Sequence, residues 1–124
     1  MSFEKDNTFI SGRLKSVKYA VKGMFKLLTT EHSIMTQIFI AMVMIVAGFY
    51  FEISRTEWIL QTLTIGVVLG VEGMNTAIEK ICDFIHPGYH ERIGFIKDIS
   101  AGAVMLVAIS AIAIGMMIYV PKFL

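Results

Sequence analysis

One cysteine, Cys82, is all the thiol chemistry this chain has. A single thiol closes no intrachain disulfide and fits no Cys-x-x-Cys metal spacing, so Cys82 is read as a small buried or interfacial side chain. A charge excess is also missing. Eleven Lys and Arg against ten Asp and Glu leave a net charge of +1, which argues against a nucleic-acid binder, because neutralising phosphates takes a large basic surplus. Two stretches, residues 34–51 and 99–120, contain no Asp, Glu, Lys or Arg at all. At about 1.5 Å of helix per residue, each can cross most or all of a hydrocarbon core roughly 30 Å thick.

What is present fits that lead. The chain is 56% hydrophobic with a mean hydropathy of +0.70, too apolar for an average soluble domain and sized as one domain over residues 1–124. The expected fold is an all-α membrane protein: an N-terminal amphipathic surface helix over about residues 8–30, and transmembrane helices over about 34–51, 58–81 and 99–120. Residues 82–98 read as a loop, with Pro87-Gly88 marking a turn. The first apolar stretch begins more than thirty residues in and follows a charged segment, which does not match a cleavable signal peptide. Lys5, Arg13, Lys15, Lys18, Lys22 and Lys26 precede the first span, and Lys80, Arg92 and Lys97 lie between the second and third. The other connections carry only Arg55 and Lys122, so the positive-inside rule puts the N-terminus and the 82–98 loop in the cytoplasm. Trp58 and Tyr119 stand where interfacial aromatics anchor helix ends.

Leu14, Val17, Val21, Met24, Phe25 and Leu28 recur at helical spacing, with Lys15, Lys18, Lys22 and Lys26 on the other side. This is the pattern of a helix lying in a membrane surface, and equally of an amphipathic helix packed on the bundle. Either arrangement delivers Glu31 to the cytoplasmic mouth of the bundle.

The second span ends in an expensive way. At about 100° per residue, Glu72, Asn75, Glu79 and Asp83 fall within a sector of about 80°, with Thr76 in the same stripe. One polar residue in a span can serve as glue between helices, but several ionisable groups on one face need a charge partner, a metal or water. Glu31 and the Lys97-Asp98 pair are placed on the same rim. Carboxylates with few histidines and no thiolate cluster suit a hard cation such as Mg²⁺, which keeps waters and is shared with substrate phosphates. Acidic ligands, a lysine and a deeper carboxylate able to take a proton are the parts required for phosphoryl transfer. No GxxxxGK[ST] and no GxGxxG occurs, so a soluble kinase fold is excluded and a nucleotide would have to be held by helices and their loop.

The run E-G-M-N-T-A-I-E-K-I-C-D followed by Y-H-E-R-I-G-F-I-K-D-I-S-A-G-A-V closely resembles the small integral-membrane diacylglycerol kinase family of bacteria, which includes the undecaprenol kinases. The resemblance runs from the surface helix through all three spans. It implies a homotrimer in the bacterial cytoplasmic (inner) membrane, multi-pass with a cytoplasmic N-terminus, that moves the γ-phosphoryl group of ATP, with Mg²⁺, to a membrane lipid hydroxyl. Carried onto this chain, Glu72 matches the general base, Asn75 an active-site polar residue beside it, and Glu31 and Glu79 the metal-binding carboxylates. Tyr19, Tyr89, His90, Lys97 and Asp98 match nucleotide-holding positions. Arg13 joins them one residue out of register, and Gly88 stands where some relatives carry a carboxylate, leaving a backbone contact. Ser33 and Met35 depart from the Asn and Arg of many undecaprenol-type members, so diacylglycerol is expected as acceptor ahead of undecaprenol. The order base, asparagine, metal ligand along the helix suits this chemistry, with Glu72 about two turns, roughly 10 Å, deeper than Glu79.

The remaining features read as structure. Gly66, Gly70, Gly73 and Ala77 form a small-residue ridge for close helix approach, as do Ala101, Gly102 and Ala103. The methionines are apolar filler, and His32 and His86 have no partner that sequence can name. A bundle of three spans buries little of each helix, which favours self-association. Two rival classes explain less. A proton-relay transport subunit should carry polar groups in the outer half of the second span as well, and a non-catalytic assembly subunit needs the glycine ridge but not the acids.

Overall fold

A computed structural model describes residues 9–124, so Lys5 and Thr8, counted above in the basic segment and the surface helix, lie outside the described residues. Four helices follow one another: α1 (Phe9–Thr30), α2 (His32–Tyr50), α3 (Arg55–Ile85) and α4 (Glu91–Phe123), and no strand occurs among the described residues. Two of them, α2 and α4, are long and apolar enough to cross a membrane. The chain is therefore all-α and suited to a bilayer.

The expected loop over 82–98 is not what forms. Nothing breaks α3 before His86 or delays α4 past Glu91, so the connection is only residues 86–90. Glu91, Arg92 and Lys97 there are good helix formers, and Pro87-Gly88 is the one real interruption. His90 caps α4, its Nδ1 accepting from the Arg92 backbone N–H at 3.1 Å. His86 is not without a partner: its Nδ1 lies 2.8 Å from the Gly88 carbonyl and its ring 5.2 Å from that of His90. The turn is thus tied by its own side chains.

α3 and α4 form an antiparallel hairpin pinned at both ends. Lys97 Nζ meets Asp83 Oδ1 at 2.6 Å beside the turn, and Lys122 Nζ meets Glu57 Oε1 at 3.2 Å at the far end. There Ser54 opens α3 with a capping box, accepting from the Glu57 N–H at 3.1 Å while its own N–H donates to Glu57 Oε1 at 2.9 Å. That backbone donor above all, with Lys122 adding to it against desolvation, holds the Glu57 carboxyl below the ordinary carboxylate range.

α2 leans on α3 at this same end. It stops in a Schellman motif, with Glu52 N–H donating to Phe49 O and Ile53 N–H to Gly48 O. Glu52 takes the left-handed position, φ 52°, that glycine would fill without strain. The core gathers here from Ile53, Ile118 and Tyr119, with Phe51 and Trp58 against them. Tyr119 is therefore not an outward-facing anchor: it is buried and donates to Gln61 Oε1, while Gln61 Nε2 donates to the Met44 carbonyl at 3.1 Å. Further along, α2 diverges from α4 and leaves an apolar cleft of about 660 Å³, lined by Ile40, Met44, Val68, Val107 and Ile114 among others.

The distribution of polarity is inverted relative to a water-soluble bundle. Gln61, Glu72, Asn75, Thr76 and Ser100 are buried, whereas Phe39, Val46, Leu63, Leu106 and Met117 are exposed along the helices. In hydrocarbon this is the stable arrangement, because lipid tails solvate leucine as well as a protein core does and solvate carboxamides far worse. α1 stands apart: none of its residues is buried, and it touches the bundle near its C-terminal end through Leu27.

Close approach occurs at two glycines. A Cβ at Gly48 would come within 2.7 Å of the Trp58 ring, and one at Gly73 within 2.8 Å of Leu27 Cδ2. Gly66, Gly70 and Gly102 face open space instead, so within one chain the expected ridge is not used as packing except at Gly73. Gly48→Val should cost about 1–3 kcal/mol, because a tryptophan ring cannot yield as a flexible chain end would. SDS or thermal unfolding in detergent, followed by fluorescence of Trp58, the single tryptophan, measures it; an unchanged midpoint would contradict the contact.

Candidate active site

The strip of α3 faces α4 for part of its length and opens to solvent near the turn. Glu72 is 8% exposed and Asn75 9%, whereas Glu79 and Asp83 are exposed. Thr76 donates to the Glu72 carbonyl at 3.0 Å, and no group among the described residues hydrogen-bonds the Glu72 carboxylate. One turn on, Asn75 Nδ2 donates to Glu79 Oε1 at 3.0 Å. Its Oδ1 accepts from the Ser100 hydroxyl of α4 at 2.7 Å. The seam thus reads Glu72, then a bonded chain of Ser100, Asn75 and Glu79, leading outward to Asp83 and Lys97.

Glu31 reaches the same end of α3 from another direction. It occupies the break between α1 and α2 in an extended conformation (φ −104°, ψ 116°) and stands at the N-cap of α2 without capping it. Its side chain is directed to Lys80 instead, at 3.0 Å. Glu31 and Glu79 are therefore held by different partners, and no three of His, Cys, Asp and Glu come together as a metal cluster among the described residues. Their chemistry still fits Mg²⁺, which takes one or two hard carboxylates and completes its shell with water and phosphate oxygens. Each has one carboxylate oxygen beyond the one given to Lys80 or Asn75.

Lys97 lies ahead of the apolar stretch of α4. The hydrogen bond that it donates to Asp83 first, and the charge of that carboxylate, hold the ammonium above its ordinary range against the opposing effect of burial. Asp98 is exposed on the next position. Gly88 and Tyr89 are exposed in the turn and His90 is the α4 cap. On α1, Tyr19 is half-buried, and the Arg13 guanidinium lies over the Phe9 ring at 4.9 Å. Among the described residues of this one chain, none of Arg13, Tyr19 or Tyr89 hydrogen-bonds to the carboxylates of α3.

Sequence reasoning did not single out Ser100, and it used Lys80 only to orient the chain. The signal for Ser100 was its position three residues past Lys97 on one helical face. Reading 82–98 as a loop hid it, since a helix face cannot be extended back through a loop.

An exposed ion pair contributes little, so Asp83 should release Lys97 easily to a stronger anion. Asp83→Asn, Lys97→Gln and the double variant are expected to shift the unfolding midpoint less than Gly48→Val does. A larger loss would make the pair a structural clamp.

Comparison with known proteins agrees in one direction. The profile of the prokaryotic diacylglycerol kinase family matches residues 18–119. The chain is 34% identical over 108 residues to a protein of Bacillus subtilis (strain 168) named undecaprenol kinase, covering 87% of this chain and 88% of that one. It is 30% identical over 112 residues to a diacylglycerol kinase of Synechocystis sp., covering 90% of this chain and 64% of that one. With the diacylglycerol kinase of Escherichia coli (strain K12) the identity is 26% over 99 residues, 80% of this chain and 81% of that one.

Proposed function

The chain belongs to the prokaryotic diacylglycerol kinase family, and from that premise we propose that it transfers the γ-phosphoryl group of ATP to a membrane lipid hydroxyl with Glu72 as general base. The observation that carries the reading is Glu72: the residue is 8% exposed and no described residue hydrogen-bonds its carboxylate, yet no side-chain oxygen among the described residues is both fully buried and unpaired, so the carboxylate keeps an opening from the seam. A free acceptor at such an opening suits a substrate hydroxyl as its donor.

On this reading α3 joins α2 and α4 as a third span, α1 lies in the cytoplasmic surface of the bacterial inner membrane, and the 86–90 turn is cytoplasmic. The exposed apolar side chains of α1, including Leu14, Val17 and Phe25, support its place at the acyl boundary. Glu72 then takes the hydroxyl proton about two turns below the rim, as the lipid oxygen attacks phosphorus. Lys97, with Asp83 as a weak resting partner, turns its charge to the phosphates. Tyr19, Tyr89, His90, Asp98, Arg13 and the Gly88 backbone are the candidates for the rest of the nucleotide. Glu31 and Glu79 would hold Mg²⁺, whose chemistry when bound is to offset the charge of the phosphates.

Two acceptors have separate support. The 34% identity to the Bacillus protein, against 26% to that of Escherichia coli, favours undecaprenol. Ser33 and Met35, which depart from the residues of many undecaprenol-type members, favour diacylglycerol. Purified protein given ATP, Mg²⁺ and the two lipids in competition ranks them directly. In that assay Glu72→Gln should lower transfer by about a hundredfold or more while nucleotide affinity stays within a few-fold. Loss of nucleotide binding with turnover preserved at saturation would sink the base assignment. Glu31→Gln and Glu79→Gln should each weaken the Mg²⁺ dependence, and an unchanged titration in both removes them as ligands.

A homotrimer with sites completed between subunits is part of the same proposal. Its support is the open space at Gly66, Gly70 and Gly102 and the apolar surface of α3 and α4. Differentially tagged Glu31→Gln and Glu72→Gln chains, co-purified as mixed oligomers, should regain part of the activity. Verified mixtures that stay inactive would confine each site to one chain.

A further inference from the structure

Serine and threonine within a helix commonly turn their hydroxyl back to the carbonyl four residues earlier. Thr29, Thr30, Thr36, Thr64, Thr76 and Ser110 all do so here. Ser100 does not. It is 7% exposed, and its hydroxyl crosses from α4 to α3 and donates to Asn75 Oδ1 at 2.7 Å.

The charge on Glu79 dictates the direction of this chain. An ionised carboxylate only accepts, so the amide must present Nδ2 to it, as observed at 3.0 Å. That leaves Oδ1 facing α4, where only a donor will serve, and the Ser100 hydroxyl must give its proton. The opposite amide orientation would set Oδ1 against the Glu79 oxygen. Ser100 could adapt to such a flip by accepting, but Glu79 could not. The serine hydroxyl therefore completes a network with one consistent arrangement, and without it Oδ1 is a buried acceptor lacking a partner.

We propose that Ser100 is a positioning residue of the phosphotransfer site: acting through Asn75, it fixes the angle at which the Glu79 carboxylate meets its cation, and so sets the Mg²⁺ requirement without sharing in proton transfer. This rests on the reading of Glu79 as a metal-binding carboxylate. Ser100 lies within the run that carries the family resemblance, but the resemblance implied no role for it; the assignment comes from its hydrogen bond.

The test has a readout that needs neither metal nor turnover. The sequence contains two asparagines, Asn7 and Asn75, so the full chain labelled with ¹⁵N at asparagine gives two side-chain amide pairs in detergent micelles, and Asn7→Ser identifies which is which. Ser100→Ala should move the Asn75 amide resonances of the metal-free protein, and Ser100→Thr, which keeps the hydroxyl, should hold them near their original positions. In the transfer assay Ser100→Ala should raise the Mg²⁺ concentration for half-maximal rate about threefold to tenfold, with the rate at saturating Mg²⁺ and the Ser100→Thr titration both within about twofold of the unaltered protein. Should Ser100→Ala fail to fold, Ser100→Cys keeps the volume and weakens the donor, and is read the same way. Glu79→Gln run in parallel separates the two ideas. If it leaves the titration unchanged, the metal reading fails and this proposal with it. If Glu79→Gln shifts the titration while Ser100→Ala does not, or if the amide resonances are indifferent to Ser100→Ala, the positioning role alone is overturned.

Discussion

A strip of carboxylates with a carboxamide on one face of a helix has to be covered by something other than hydrocarbon, and in this chain α4 meets its inner part, where Ser100 bonds Asn75, while Glu79 and Asp83 stay exposed. The requirement fixes the pairing of α3 with α4 more firmly than any apolar contact can. A leucine gains almost nothing by leaving lipid for a protein interior, whereas Asn75 without Ser100 and Glu79 would leave its amide unsatisfied. The same logic repeats at the other end, where Gln61 finds Met44 and Tyr119. Two polar knots, one near each end, hold the hairpin in register.

The knots differ in what they leave over. Around Gln61 every polar group meets another, and the result is a closed structural core. Along the Glu72 strip the satisfaction is incomplete: the chain from Ser100 ends at Glu79, while the Glu72 carboxylate has no donor among the described residues. At the rim, Glu31 with Lys80 and Asp83 with Lys97 are exposed enough for water to weaken them. Strength is concentrated along the Ser100–Asn75–Glu79 chain and is low at the rim. The proposed phosphotransfer uses that gradient, since loosely held rim charges can turn toward a bound nucleotide while the hydrogen-bonded seam keeps its shape.

The chain is all-helical over each apolar run, and α2 and α4 are apolar enough to cross a membrane, because those patterns express the burial that forms them. Their ends were less legible. The runs stop at the limits of hydrophobicity, whereas the helices continue to the nearest true breaker, Pro87-Gly88 on one side and the Glu52 turn on the other. Lys97 therefore reads as a loop residue when it is helical, and Ser100 lost the context that would have aligned it with Asn75. Tyr119 misled for a related reason: its position suggested an outer anchor, but direction depends on what Gln61 requires. The acidic pattern on α3 was plain from spacing alone. The partner of Glu31 was not, since Lys80 lies on α3, beyond the whole of α2, and only the folded chain brings them together.

The brevity of the 86–90 turn has a kinetic side. Asp83 meets Lys97 across 14 residues and Asn75 meets Ser100 across 25, so the loops that close to build the seam are short and their entropy cost is low. The contact from Glu31 to Lys80 must wait for α1 and α2 to be placed. The hairpin carrying Glu72, Asn75 and Glu79 is thus held by contacts that are near in sequence, whereas the Glu31 contact closes a loop about twice as long. A slip in docking α1 would part Glu31 from Lys80 and leave the hydrogen bonds of the hairpin intact.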